Sequence, residues 1–242
     1  MKLYSYIVAR DFGFAPNPFF GVCTLATCKP KIRAGASVGD WIVGTGAKSR
    51  YDRAGRLIYA MQVGEVLDFD GYWNDPRFLR KRPNLNGSLK VVYGDNLYHR
   101  AGKKWVQANS HHSLENGRPN KANIAWDTGV DRVLVATKFV YWGKAAPTIP
   151  KRFRAFRKAQ EDICCKARGH RVFGEALATA FALALLAFAS GCGDSSAPDK
   201  ASGFRVALLT PGSIRDGGWN QSAYEGLERI RAELGAEIAH QE

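Results

Sequence analysis

Cysteine is scarce in this chain and poorly spaced for holding a metal. The five are Cys23, Cys28, Cys164, Cys165 and Cys192. No pair of C-x-x-C motifs exists, and the adjacent Cys164 and Cys165 make poor geometry for a tetrahedral site, which excludes a zinc ribbon or finger. An odd number of thiols makes no closed disulfide framework, so the upstream cysteines read as reduced thiols. A Gly-rich phosphate loop of the Walker type is lacking, and no motif names a cofactor. Internal repeats and long low-complexity tracts are absent as well. Acidic residues are few upstream: residues 1–175 hold 14 Asp+Glu against 30 Lys+Arg, a net charge of +16, whereas residues 176–242 are net −3. The basic excess therefore lies entirely in the first part, and it favours polyanionic partners: nucleic acid, nucleotides or an anionic lipid surface.

Only one long apolar run is present, "ALATAFALALLAFASG" over residues 176–191. Its sixteen residues fall short of the ~20 needed to cross a bilayer as a helix. Lys166, Arg168 and Arg171 precede it, and Ala189-Ser190-Gly191-Cys192 follows in the manner of a lipobox. Basic flank, apolar core and small residues before a cysteine are the pattern of an export signal, with Cys192 as the lipidated residue. The polar stretch 193–203 reads as a tether.

Upstream of that run the pattern is mostly β. "KLYSYIVAR", "VGDWIVGTG", "GRLIYAMQVGEVLDF" with Gly64 as a bulge, "LKVVYG" and Val130–Gly143 read as strands. Asp11–Gly21, rich in Pro and Gly, reads as a loop carrying Phe12, Phe14, Phe19 and Phe20. "GYWNDPRF" reads as a turn. "PKRFRAFRKAQEDICC" begins a helix at Pro150. The expected fold class is α+β, mainly β, a small bent sheet or barrel. Downstream, "FRVALLT" reads as a strand, and a helix capped by Ser222 and Glu225 ends at Gly235. "AEIAHQE" begins a further strand.

The upstream part resembles the second type of nucleotide modification associated domain. The residues carrying this are "YIVARDFGFAPNPFFGVCTLATCKPKIR", "VGDWIVGTG", "QANSHHSLENGRPN", "DTGVDRVLVATKFVYWG", "IPKRFR" and "GHR". The resemblance implies a role in DNA base or nucleotide modification over residues 1–171. "VGDWIVGTG" followed by "GRLIYAMQVGEV" is also similar to PUA-like barrels, which bind nucleic acid or modified bases in aromatic pockets. The tail's "DGGWNQSAYEGL" resembles the start of the basic membrane protein family of nucleoside-binding lipoproteins. That likeness implies a truncated periplasmic-binding fold over residues 204–242, with Asp216, Trp219 and Asn220 near a ligand cleft. The domain expectation is thus 1–171, a signal helix over 172–192, the tether, and an incomplete β-α unit.

Three patches carry candidate chemistry. The first groups the loop residues Asp11, Asn17, Phe19 and Phe20 with Asp40 and Trp41, and with Tyr72 and Trp73 of the second aromatic segment. Aromatic faces there would stack bases. The second is Ser110-His111-His112-Ser113, where His111 or His112 would be acid–base groups and Asp127 or Asp131 the orienting carboxylate. A metal would need three ligands, for which His99 and Asp11 are no more than conceivable additions, and no metal site is assigned. The third is "KRFRAFRK", whose Arg152, Arg154 and Arg157 would grip phosphates. Three functions follow: a nucleotide or nucleic-acid binding module, a membrane-anchored lipoprotein for nucleoside uptake, or a base-modifying enzyme. Residues 1–171 would be cytoplasmic, and the chain inner-membrane anchored if the internal signal were used.

Overall fold

The structure, a computed structural model, describes residues 1–48, 52–154, 162–164, 169–190, 205–210, 213–215 and 218–241. It divides into two compact units, Met1–Phe188 and Ala189–Glu242. The first unit opens with β1 (Leu3–Val8), β2 (Cys23–Leu25), helix α1 (Pro30–Gly35), β3 (Trp41–Gly46), β4 (Leu57–Gln62) and β5 (Glu65–Leu67). Helices α2 (Phe69–Asn74) and α3 (Leu89–Val92), strands β6 (Tyr98–Ala101) and β7 (Lys104–Gln107), and helix α4 (Lys121–Thr128) follow. The unit closes with β8 (Val133–Ala136), β9 (Lys138–Tyr141), β10 (His170–Phe173) and helix α5 (Glu175–Ser190).

Five strands form a mixed sheet in the order β10-β1-β3-β4-β9, with β1 and β3 parallel. Three form an antiparallel sheet, β2-β8-β5, and β6-β7 is a separate hairpin. One antiparallel ribbon joins the two sheets. Its strands are β4-β5 and β8-β9, with β4 paired to β9 and β5 paired to β8. Each of these strands had read as one long element. Both instead break where the ribbon turns between sheets, at Val63–Gly64 and at Thr137, and the Gly64 amide donates to Val135 O across the bend. The sheets are small, and among the described residues no closed barrel forms, so the barrel expectation is corrected. "LKVVYG" is corrected too: it holds the short helix α3. Helices of four to eight residues complete too few turns to print a 3.6-residue period, which is why α1 to α4 were hard to see.

Strand alternation sorts the core into layers. Tyr4, Tyr6, Ile42, Ile58, Met61 and Leu134 pack in one cluster. Leu3, Trp41, Val43, Ala60 and Phe153 form a second cluster. Val133 and Val135 face a third, with Phe14, Phe69, Tyr72, Phe78 and Tyr98. Helix α5 belongs to the second cluster through Ala178, Phe181, Ala184 and Leu185. The Phe181 ring meets Trp41 and Phe153 edge-on. Burying a Phe or Leu of this kind stabilises by about 1.5–3 kcal/mol. Packing on the sheet thus accounts for an apolar face of the run that had read as an export signal. No helix among the described residues is long and apolar enough to cross a membrane. Cys192 lies outside the described residues.

The second unit is a β-α-β element: β11 (Arg205–Leu209), helix α6 (Trp219–Leu234) and β12 (Glu237–Gln241), the strands parallel. The helix begins one turn before the expected cap. Gly218 is the N-cap, and Ser222 sits inside the helix with its hydroxyl donating to Gly218 O. Gly235 ends it in the left-handed conformation, φ 65°. Asp216 lies outside the described residues, and Asn220 is in the first turn of α6.

Candidate functional site

The histidine pair sits at the end of a run of contacting aromatic rings. Phe12 is 41% exposed and lies on Tyr93, centroids 5.0 Å apart and planes 14° from parallel. Tyr93 meets His111 at 4.8 Å, and Phe14 meets His111 at 4.1 Å and His112 at 4.4 Å. The run therefore leads from solvent at Phe12 inward to His112. His112 Nδ1 is 3.4 Å from the buried Asp127 carboxylate. Neither His111 Nδ1 nor His112 Nδ1 has a hydrogen-bond partner within the protein. The sequence candidates His111, His112 and Asp127 are thus brought together, whereas Asp131 accepts from the Phe69 amide and pairs with Arg100 instead.

Local structure fixes these groups. The Ser110 hydroxyl accepts the His112 amide, and the Ser113 hydroxyl accepts the Ser110 amide. Gln107 and Asn123 side chains both donate to His112 O. Asp127, near the C-terminal end of α4, accepts from the Cys28 amide at 2.7 Å and the Tyr98 hydroxyl at 2.9 Å. Burial raises the Tyr98 hydroxyl pKa, and the Asp127 charge adds to the rise. The fully buried Arg33 donates to the carbonyls of Cys28, Asp127, Val130 and Arg132. Burial draws its pKa down. Burial also lowers His111 to about 4, with the neighbouring His112 adding to the shift. At neutral pH His111 is an uncharged imidazole, one ring nitrogen a donor and the other an acceptor. An imidazole beside a fixed carboxylate, as His112 is, can act as an acid–base group. Burial pushes the Cys28 thiol up to about 11, which makes it a poor nucleophile.

The aromatic loop is anchored from beneath by a polar network that the sequence did not announce. Lys81 is fully buried, and its Nζ reaches Asn17 O, Asn17 Oδ1, Val22 O and Thr24 Oγ1. The Thr24 and Tyr72 hydroxyls both donate to the buried Asp95 carboxylate at 2.7 Å. Burial holds Lys81 below its ordinary pKa and pushes the Asp95 carboxyl up. Lys81 lies in the basic stretch "RFLRKRP", which reads as a solvated surface, so nothing in the pattern singled it out.

Several of the expected binding residues are engaged in contacts within the protein. Tyr72 and Trp41 are core side chains, and Asn17 bridges Lys81 to Tyr93 O. Trp73 carries His99 stacked at 4.1 Å and Arg82 at 3.9 Å. Asp40 accepts from the Lys2 and Ser37 amides. Asp11 accepts from Tyr141 and Arg53. Arg154 is paired to Asp162, Arg152 lies over the neighbouring Phe153 ring, and Arg157 lies outside the described residues. Phe19 and Phe20 stay half-exposed in the loop, 6.3 Å apart. Among the described residues no cluster of three or more His, Cys, Asp or Glu side chains could hold a metal ion.

No curated protein and no solved structure matches the chain. A family model described as nucleotide modification associated domain 2 matches residues 1–202, a span that takes in the whole ring-and-histidine site and helix α5. Nothing in these comparisons supports a lipoprotein of the basic membrane protein family in the tail. The chain belongs to the nucleotide modification associated domain 2 family.

Proposed function

We propose that the first unit binds a nucleotide or a base of nucleic acid, in the service of nucleotide modification, with Phe12 as the stacking platform. The observation that supports this best is the ring run itself. An exposed phenyl ring stands at its mouth, and two imidazoles stand at its inner end, neither Nδ1 hydrogen-bonded within the protein. A base laid on Phe12 gains stacking without any sequence-specific contact, and the basic excess upstream draws in its phosphate. Replacing Phe12 by alanine should weaken binding by about 5- to 150-fold, the loss of one base–aromatic stack of ~1–3 kcal/mol. Fluorescence anisotropy of a labelled oligonucleotide with the full chain at low salt measures this. Affinity should also fall steeply as salt rises.

The 3.4 Å approach of His112 to Asp127 supports a second reading, modification of the bound base with His112 as the acid–base group. DNA from cells making the chain should then contain a base that mass analysis detects, and His112→Ala should remove it. An unchanged base composition in cells making the unaltered chain would dispose of this second reading and leave the binding function standing.

A further inference from the structure

We propose that the site takes a single strand of nucleic acid rather than a lone nucleotide, laid along the loop from Phe12 to Phe20; this rests on the reading of Phe12 as a stacking platform. The loop carries two aromatic stations, and they are contiguous. Gly13 has φ +70°, and a Cβ built on it would come 2.5 Å from the Phe19 ring, so Phe19 lies directly against the residue that follows Phe12. Phe20 neighbours Phe19, ring centroids 6.3 Å apart and edge-on.

Helix α3 meets both stations. Lys90 and Tyr93 stand three residues apart, on helix α3 and at its C-cap, and so share a side. Tyr93 stacks on Phe12, while Lys90 Nζ lies 5.8 Å over the Phe19 ring. Arg80 places its guanidinium 4.4 Å over Phe20. Lys90 and Arg80 are both exposed, so each can meet a phosphate, and the guanidinium plane can itself stack a base. Asp11 is the only acidic residue in the loop, and it is taken up by Tyr141 and Arg53. One aromatic ring would serve a lone nucleotide. Three neighbouring rings with two cations serve successive bases and the backbone that joins them. Bases paired in a duplex are stacked on one another and cannot lie on such rings.

The test uses the full chain and three probes: thymidine monophosphate, an eight-nucleotide oligothymidylate and a blunt DNA duplex of similar length. The oligothymidylate should bind about tenfold or more tightly than the monophosphate and better than the duplex. Phe20→Ala and Lys90→Ala should each weaken the oligothymidylate several-fold more than the monophosphate, and Phe12→Ala should weaken both. An eight-nucleotide strand of ribothymidylate tells whether the sugar matters, and equal binding of the two strands fits the stacking track. Equal affinity for monophosphate and oligothymidylate, or duplex binding as tight as single-strand binding, would overturn the proposal while leaving Phe12 as a nucleotide platform. Failure of every probe to bind, or indifference of all of them to Phe12→Ala, would overturn the platform as well.

Discussion

Lys81→Met is expected to destabilise the protein by about 3–5 kcal/mol, the usual consequence of removing one charge from a buried, hydrogen-bonded set. The methionine fills similar volume but leaves Asn17, Val22 and Thr24 without their donor, and leaves Asp95 in the core with no cation near it. For a unit of this size, thermal denaturation should show a fall in Tm of roughly 10 °C. The double variant Lys81→Met with Asp95→Asn should recover part of the loss, because the uncompensated carboxylate is then gone. Equal Tm values for the single variant and the unaltered chain would mean that the network is not what holds the loop. The loop matters here because Asn17 lies midway between Phe12 and Phe20, and Lys81 is what ties it down.

His111 should make the protein sensitive to mild acid. Its folded-state pKa, about 4, lies below the ordinary value of 6.5, chiefly through burial. The unfolded chain therefore binds the proton more readily than the folded one between those two values. Stability from this residue is complete above pH 6.5 and is lost as pH falls towards 4. Allowing for partial exposure, the loss amounts to about 2–3 kcal/mol. His111→Phe keeps a ring against Phe14 and Tyr93 but cannot titrate. Denaturant midpoints between pH 4 and 8 should therefore decline less steeply on the acid side for the variant. Parallel decline in both proteins would place the acid sensitivity elsewhere.

Local pattern made some features legible and not others. The extent of the loop followed from its prolines and glycines, and the strands β1, β3 and β4 from their β-branched and aromatic runs. Residue types alone pair the histidines with Asp127 or Asp131; the structure brings Asp127 to His112 across fifteen positions of chain and pairs Asp131 with Arg100. Of the two ribbon bends, Gly64 marks one as a possible bulge, whereas Thr137 carries no turn signal and leaves the other unmarked. Helix α5 is ambiguous by composition. A buried Ala/Leu helix and the core of an export signal look alike in sequence, and the packing of Phe181 and Ala184 on the sheet is what the structure adds. Tyr72 was placed in a pocket because its neighbours are polar and turn-forming; its hydroxyl instead completes the Asp95 network. Lys81 shows the limit most clearly, since lysine is almost never fully buried and its sequence surroundings are basic.

The central claim is that the exposed face of Phe12 receives a base. It is tested most directly by comparing oligothymidylate binding to the full chain, Phe12→Trp and Phe12→Ala at low salt. Phe12 is 41% exposed, so neither substitution should disturb the fold. Tryptophan, with its larger ring face, should retain or tighten binding, while alanine should weaken it by about 5- to 150-fold. Three proteins of equal affinity, or none that binds, would contradict the account.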